Sequence, residues 1–197
     1  GGSIAIIAML YVRGHRADYD GWSGMRCDGW DWAGVLPYFK RAEAHAGGGD
    51  EFHGDAGPLQ VTPQQSPRPL SRAFVDAARE CQFPARDDFN SGETEGVGLY
   101  DVTQFHDGAR RGERCSAAAA YLHPVMDRPN LTVVTRAHAE GITLEGKRAT
   151  GVTYRRRGRR LHLRAKREVL LCAGAFNSPQ LLQLSGIGAR EDLHPHG

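Results

Sequence analysis

Residues 168–184 constrain the fold more than any other stretch of the chain. Glu168-Val169-Leu170-Leu171-Cys172 is apolar enough to be buried on both faces, the pattern of a strand inside a parallel sheet. It runs through Ala173-Gly174-Ala175 into a helix whose expected cap is Asn177 or Ser178, with Pro179 at the first helical position. Leu181, Leu182 and Leu184 supply its buried side, and Gly186 is the expected C-terminal stop. A strand, a glycine turn and a helix in this order aim backbone N–H groups and a helix dipole at an anionic ligand. The small residues at 173–175 let such a ligand approach the main chain closely. Many α/β turns of this kind bind nothing, and the full Gly-x-Gly-x-x-Gly fingerprint is absent from the chain.

The rest of the chain excludes whole classes. Its 197 residues carry 40% hydrophobic side chains and 25 glycines without a triplet period, which excludes disorder and collagen. The balance of 25 basic against 23 acidic residues leaves a net charge of +2, so no global field points to nucleic acid or a membrane. The longest apolar stretch, residues 4–12, falls far short of the ~20 residues that span a bilayer. Cys27, Cys81, Cys115 and Cys172 form no C-x-x-C pair and read as reduced, packed thiols of a reducing compartment, taken here as the cytoplasm. Neither they nor the 9 histidines show a metal-ligand spacing, so no metal is expected. No signal peptide is evident, although the chain opens without Met on Gly1-Gly2-Ser3, as a fragment would.

Between the two ends the texture is mixed. Gly1-Gly2-Ser3 before the apolar run 4–12 reads either as a second close-approach turn or as a loop entering a buried segment, and the run is followed by a polar loop at Arg13-Gly14-His15-Arg16. Asp31 is the expected N-cap of a helix through Val35, Leu36 and Phe39 to near His45, strained by Pro37. Gly47-Gly48-Gly49 reads as a flexible joint, Gly57-Pro58-Leu59-Gln60-Val61 as a short strand and residues 63–69 as an extended connector. Leu70, Phe74, Ala77, Ala78 and Cys81 give one apolar helical face. Residues 83–114 read as loop and short strand, and 116–126 as a short alanine-rich helix disturbed by Pro124. Strands are expected at 131–134, 141–144, 149–154 and 161–163, with turns at Glu145-Gly146 and Arg157-Gly158.

The two ends together carry a resemblance. Residues 174–188, GAFNSPQLLQLSGIG, match at every constrained position a signature of the glucose–methanol–choline (GMC) flavin oxidoreductases. The opening Gly1-Gly2-Ser3 … Ala8-Met9 … Tyr11-Val12-Arg13-Gly14-His15 resembles that family's flavin-proximal loop, especially in its choline-dehydrogenase-like branch. Asp18-Tyr19-Asp20-Gly21-Trp22, Leu36-Pro37-Tyr38-Phe39-Lys40, Gly57-Pro58-Leu59, Ala120-Tyr121-Leu122-His123-Pro124 and Arg128-Pro129-Asn130-Leu131-Thr132-Val133 fall in the family's order. The resemblance covers essentially the whole chain.

It implies FAD as cofactor and oxidation of an alcohol, a histidine taking the hydroxyl proton while hydride passes to the flavin. The family's Gly-x-Gly-x-x-Gly turn and its catalytic histidine fall outside these residues, so the chain reads as an internal segment without a catalytic residue of its own. His15, His123 and His162 sit in loop, loop and strand contexts and are read as surface or packed side chains. By position, Gly2 and Ser3 match the turn near the pyrophosphate and isoalloxazine, and Ala8 and Met9 the residues beside the ring. Ala139 matches a position whose backbone meets the adenine, and Ala173 and Gly174 the turn near the adenosine. Ile7 departs from the family, which carries an asparagine there, and Ile4 and Ala5 replace small polar residues.

The implied fold is α/β plus α+β: part of an FAD-binding Rossmann-like domain with part of an antiparallel-sheet substrate domain. Residues 1–45 form the flavin-proximal loop and cover, 46–125 the substrate-side segment, and 126–197 the strands and βα unit returning to the FAD domain. The expected substrate is a choline-like or small primary alcohol. Two other readings are a non-catalytic homologue, motivated by Ile7, and a nucleic-acid or anion binder, motivated by Arg155-Arg156-Arg157-Gly158-Arg159-Arg160. The arginine run reads better as a solvated hairpin tip, so no nucleic-acid partner is expected. Strands that pair outside the chain would leave bare edges, and aggregation or partial folding is expected of the chain alone.

Overall fold

The computed structural model describes residues 5–193, in two compact units, 1–128 and 129–197. Gly2 and Ser3 lie outside the described residues. Helices combine with small parallel and antiparallel sheets, as the fold class requires.

The first unit begins with α1 (Arg16–Gly24) and α2 (Trp32–Ala42). The polar loop expected at residues 13–16 is instead a helix start: His15 Nδ1 accepts the Ala17 N–H, and Asp18 accepts the His15 N–H. Asp31 caps α2 as its sequence position dictates, accepting the Gly34 N–H at 2.6 Å. Pro37 is accommodated inside α2, which ends at Ala42 rather than near His45. The chain then extends as β1 (Glu43–His45), paired in parallel with β2 (Leu59–Val61). Gly48 donates back to the His45 carbonyl, so the glycine run makes a turn. Tyr19 packs against Trp22, Trp32 and Phe39, with ring centroids 5.3–5.8 Å apart.

Residues 101–103 form a rail through the middle of this unit. Val102 bridges Thr62 on one side and Leu10 on the other, both antiparallel. Leu59, Val61, Cys115 and Ala120 make the buried cluster beside it, with Tyr11 and Phe105 packed against them. Of the four free cysteines only Cys115 is packed; the other three are exposed. The described part of the run 4–12, from residue 5 on, is not a buried segment either. Leu10 and Val12 face outward, while Tyr11 and Arg13 alternate inward.

The helix α3 (Pro69–Glu80) falls where its periodicity predicts, but only Val75 is buried; Leu70 and Phe74 are 80% and 70% exposed. Residues 118–125 form a π turn running into a 3₁₀ turn at Pro124, the expected disturbed helix.

The second unit is a meander of β3 (His138–Glu145), β4 (Arg148–Arg156) and β5 (Arg159–Arg164), followed by α4 (Gly174–Leu184) and α5 (Arg190–Leu193). Its turns are Gly146-Lys147, one residue later than expected, and Arg157-Gly158, where both residues have positive φ. The hairpin tip therefore holds the arginine run, with Arg155 and Arg160 both paired to Glu140.

Residues 131–134 and 168–172 form no strand, and Leu170 is 76% exposed. A strand exists through its neighbours, and no described residue pairs with either segment. Helix α4 starts three to four residues before the expected cap, with Pro179 inside it and the Ser178 hydroxyl accepting the Ala173 N–H. Its end is a Schellman arrangement: Gly186 (φ 76°) donates to Gln183 and Ile187 to Leu182. Leu181 is buried, whereas Leu184 is exposed. No described helix is long and apolar enough to cross a membrane.

Candidate functional site

The second unit brings two of the expected cofactor residues together. Ala139 on β3 and Ala173 at the start of α4 line one cavity of about 230 Å³, with His138, Asn177, Gln180, Leu181 and Leu184. Ser185 holds this arrangement. Its hydroxyl accepts the Ile142 N–H of β3 at 2.7 Å and donates to the Leu181 carbonyl of α4 at 2.6 Å. Gly174 takes φ 92°, a conformation that side-chain-bearing residues rarely adopt, and faces open space. The small side chains at 139 and 173 and the amides of Asn177 and Gln180 suit a flat heteroaromatic ring that both donates and accepts hydrogen bonds.

In the first unit, residues 7–9 are held by their carbonyls. Arg114 donates to the Ile7 carbonyl at 2.6 Å. The Met9 carbonyl accepts the Thr103 N–H at 2.8 Å and the Thr103 hydroxyl at 3.3 Å. Met9 has φ 67°, and Ala8 and the Ile7 side chain are exposed. The three expected residues Ile7, Ala8 and Met9 are thus one presented edge of chain.

The same unit holds a buried charge network absent from the sequence reading. Arg13 and Glu43 pair at 2.8 Å. Arg13 also donates to the Phe52 carbonyl through its guanidinium and to Asn90 through its backbone, and Asn90 returns to the Tyr11 carbonyl. The buried His53 ring lies between two carboxylates, with Nδ1 3.1 Å from Glu43 and Nε2 3.0 Å from Asp88. These hydrogen bonds, to Asp88 first and Glu43 second, push its pKa from 6.5 up to about 10 against the opposing effect of burial. Partial burial raises the Asp88 carboxyl, but the His53 hydrogen bond and the Asn90 N–H outweigh it and hold Asp88 below its ordinary value. His53 is therefore an imidazolium at neutral pH, a structural cation rather than a base. Alongside, His45 contacts Asp101 at 3.1 Å. The signal for Arg13 was the period-2 alternation continuing from Tyr11; nothing local marks Glu43 or His53.

The histidines weighed from sequence have other surroundings: His15 caps α1, His123 starts a 3₁₀ turn, and His162 contacts Thr143 on the hairpin.

Solved structures share this fold. The chain superimposes on an FAD-dependent oxidoreductase from Chaetomium thermophilum with a TM-score of 0.88 at 30% identity, covering 99% of this chain and 35% of that one. Against pyridoxine 4-oxidase from Mesorbium loti the TM-score is 0.84 at 37% identity, covering 98% and 38%. These are flavoenzymes, the class that the resemblance implied. Residues 1–196 match the GMC oxidoreductase family, and the chain belongs to it. Among curated relatives it is similar to the mitochondrial choline dehydrogenase of Mus musculus, 44% identical over 98% of this chain and 32% of that protein. It is also similar to the oxygen-dependent choline dehydrogenase of Staphylococcus aureus strain MSSA476, at 47% identity over 100% of this chain and 34% of that protein. The chain spans about a third of the length of these relatives. The family's cofactor is FAD.

Proposed function

We propose that the protein oxidises a choline-like or other small primary alcohol in an FAD-dependent reaction, and that these residues form part of the flavin envelope. The observation that carries this reading is the convergence of Ala139 and Ala173 on one cavity, in a chain similar along its whole length to choline dehydrogenases. The cavity would take the adenine end. By the family resemblance the backbone of Ala139 would meet the adenine; the amides of Asn177 and Gln180 would supply donors and acceptors, and the small Ala173 would keep the approach clear. Gly2, Ser3, Ile7, Ala8 and Met9 would face the pyrophosphate and ring end. When bound, FAD supplies the two-electron acceptor for hydride removed from the alcohol carbon.

On this reading residues 1–45 belong to the flavin cover, 46–125 to the substrate side and 126–197 to the return into the FAD domain. The proton acceptor comes from outside these residues, so the chain alone is inactive. We place the protein in a reducing compartment such as the cytoplasm on the cysteine pattern of the sequence.

The test is anaerobic mixing of the FAD-loaded full-length protein that carries these residues with choline and with short primary alcohols. Bleaching of the flavin's visible bands by one of them is the expected result. A protein that holds FAD but is reduced by no alcohol would overturn the catalytic reading and favour the non-catalytic homologue.

A further inference from the structure

We propose that Thr103 is a positioning residue for the flavin-proximal edge, locking Met9 in its left-handed backbone conformation. This rests on the reading that residues 7–9 face the flavin.

Met9 is a side-chain-bearing residue at φ 67°. That conformation is disfavoured about tenfold or more for anything but glycine, asparagine or aspartate, so Met9 needs an external hold to stay there. Thr103 provides it twice on one atom. Its N–H and its hydroxyl both donate to the Met9 carbonyl, at 2.8 and 3.3 Å. The carbonyl fixes the peptide plane after Met9, and Arg114, donating to the Ile7 carbonyl at 2.6 Å, fixes the plane two residues earlier. Between these two holds the backbone around Ala8 has little freedom left.

Thr103 is itself immobilised. It is buried, and its carbonyl accepts the Cys115 N–H at 3.0 Å. Its neighbour Val102 exchanges both backbone hydrogen bonds with Thr62, at 2.8 and 3.0 Å. Asp101 accepts the Tyr11 N–H at 2.8 Å and pairs with His45. The rail 101–103 is thus anchored to the core on one side and grips the strained edge on the other. Strain that surrounding contacts over-determine in this way is found at ligand clamps, where it aims a short piece of chain. A hydrogen bond from a buried neutral hydroxyl is worth roughly fivefold in an equilibrium.

The experiment uses the FAD-loaded holoenzyme and reads the FAD dissociation constant, the visible flavin spectrum and the melting temperature. The T103V change removes the hydroxyl but keeps the shape and the N–H. It should weaken FAD binding about fivefold and alter the flavin bands, with T103S restoring both. In an M9G background the left-handed conformation costs nothing special, and the T103V penalty should shrink below about twofold. A T103V protein that melts lower but keeps its flavin affinity and spectrum would overturn the proposal, as would an equal penalty in the M9G background. Failure of the unaltered protein to hold FAD would instead overturn the flavin reading on which it stands.

Discussion

The Arg13 guanidinium and the Glu43 carboxylate lie 2.8 Å apart with both side chains almost wholly withdrawn from water. Glu43 also accepts the Gly54 N–H and faces His53, so one carboxylate neutralises two cations and satisfies one backbone donor. Desolvating such a pair is expensive, and removing one partner strands the other. We expect Glu43→Gln to lower unfolding free energy by about 3 kcal/mol or more. Glu113→Gln breaks the exposed Arg110–Glu113 pair and should cost less than about 1 kcal/mol. Urea unfolding of the two variants checks the contrast, and equal losses would contradict it.

The same network makes stability depend on pH in a stated direction. A histidine whose folded pKa is raised from 6.5 to about 10 contributes stability that is complete below pH 6.5. That contribution disappears as pH rises through 10. Asp88 works in the opposite sense: held below its ordinary value of 3.8, it contributes above that pH and loses its contribution as pH falls. The pair is therefore fully effective between about pH 4 and 6.5. Melting temperature should fall between pH 6.5 and 10, and His53→Gln should lower it at pH 6 and flatten that fall. A variant with the same slope as the parent would refute the assignment.

What was legible in the sequence was whatever short-range chemistry decides. The Asp31 cap, the Arg157-Gly158 turn and the Gly186 stop each depend on residues within a few positions, and each forms where its spacing indicates. Residues 131–134 and 168–172 were illegible for the opposite reason, since apolar β-prone segments become strands only beside a partner. Amphipathicity located α3 but not its burial, because periodicity shows that a face could pack, not that something covers it. For the site, the family motif pointed to Ala139 and Ala173, which do share a cavity. The Arg13–Glu43–His53–Asp88 network joins residues 10 to 35 positions apart along its links, and no local pattern announces it.

Two glycines of the first unit should respond to alanine with opposite signs. A Cβ on Gly57 would run into the backbone of Ala42 and Glu43, just where the Gly57 N–H donates to the Glu43 carbonyl at 2.8 Å. The chain there must move, so Gly57→Ala should cost about 1–3 kcal/mol. Gly21 lies inside α1 with open space around its Cβ position, and Gly21→Ala should stabilise by about 0.5–1 kcal/mol. Thermal melts of the two variants decide it.

Surface left bare in these residues should govern the behaviour of the chain expressed by itself. Phe176 is 90% exposed, and Leu70, Phe74 and Leu170 are each at least 70% exposed. The segments 131–134 and 168–172 add apolar stretches whose backbone pairs with no described residue. Residues 1–197 alone should therefore bind a hydrophobic dye and elute as aggregates, whereas a monodisperse, cooperatively melting monomer would contradict this.

The cavity between β3 and α4 offers the most direct test of the adenine assignment. Ala173 lines it but is itself exposed, so enlarging this side chain takes up cavity space without disturbing packed residues. Ala173→Leu should fill part of the roughly 230 Å³ that a ring would occupy and weaken FAD binding by at least about tenfold, or 1.4 kcal/mol. The Ser185 hydroxyl that ties Ile142 to Leu181 is untouched by this change, and the melting temperature of the FAD-free protein should stay within a degree or two. Equilibrium titration with FAD, alongside a melt of the FAD-free protein, separates the two effects. Unchanged affinity would mean that the adenosine end of the cofactor binds elsewhere.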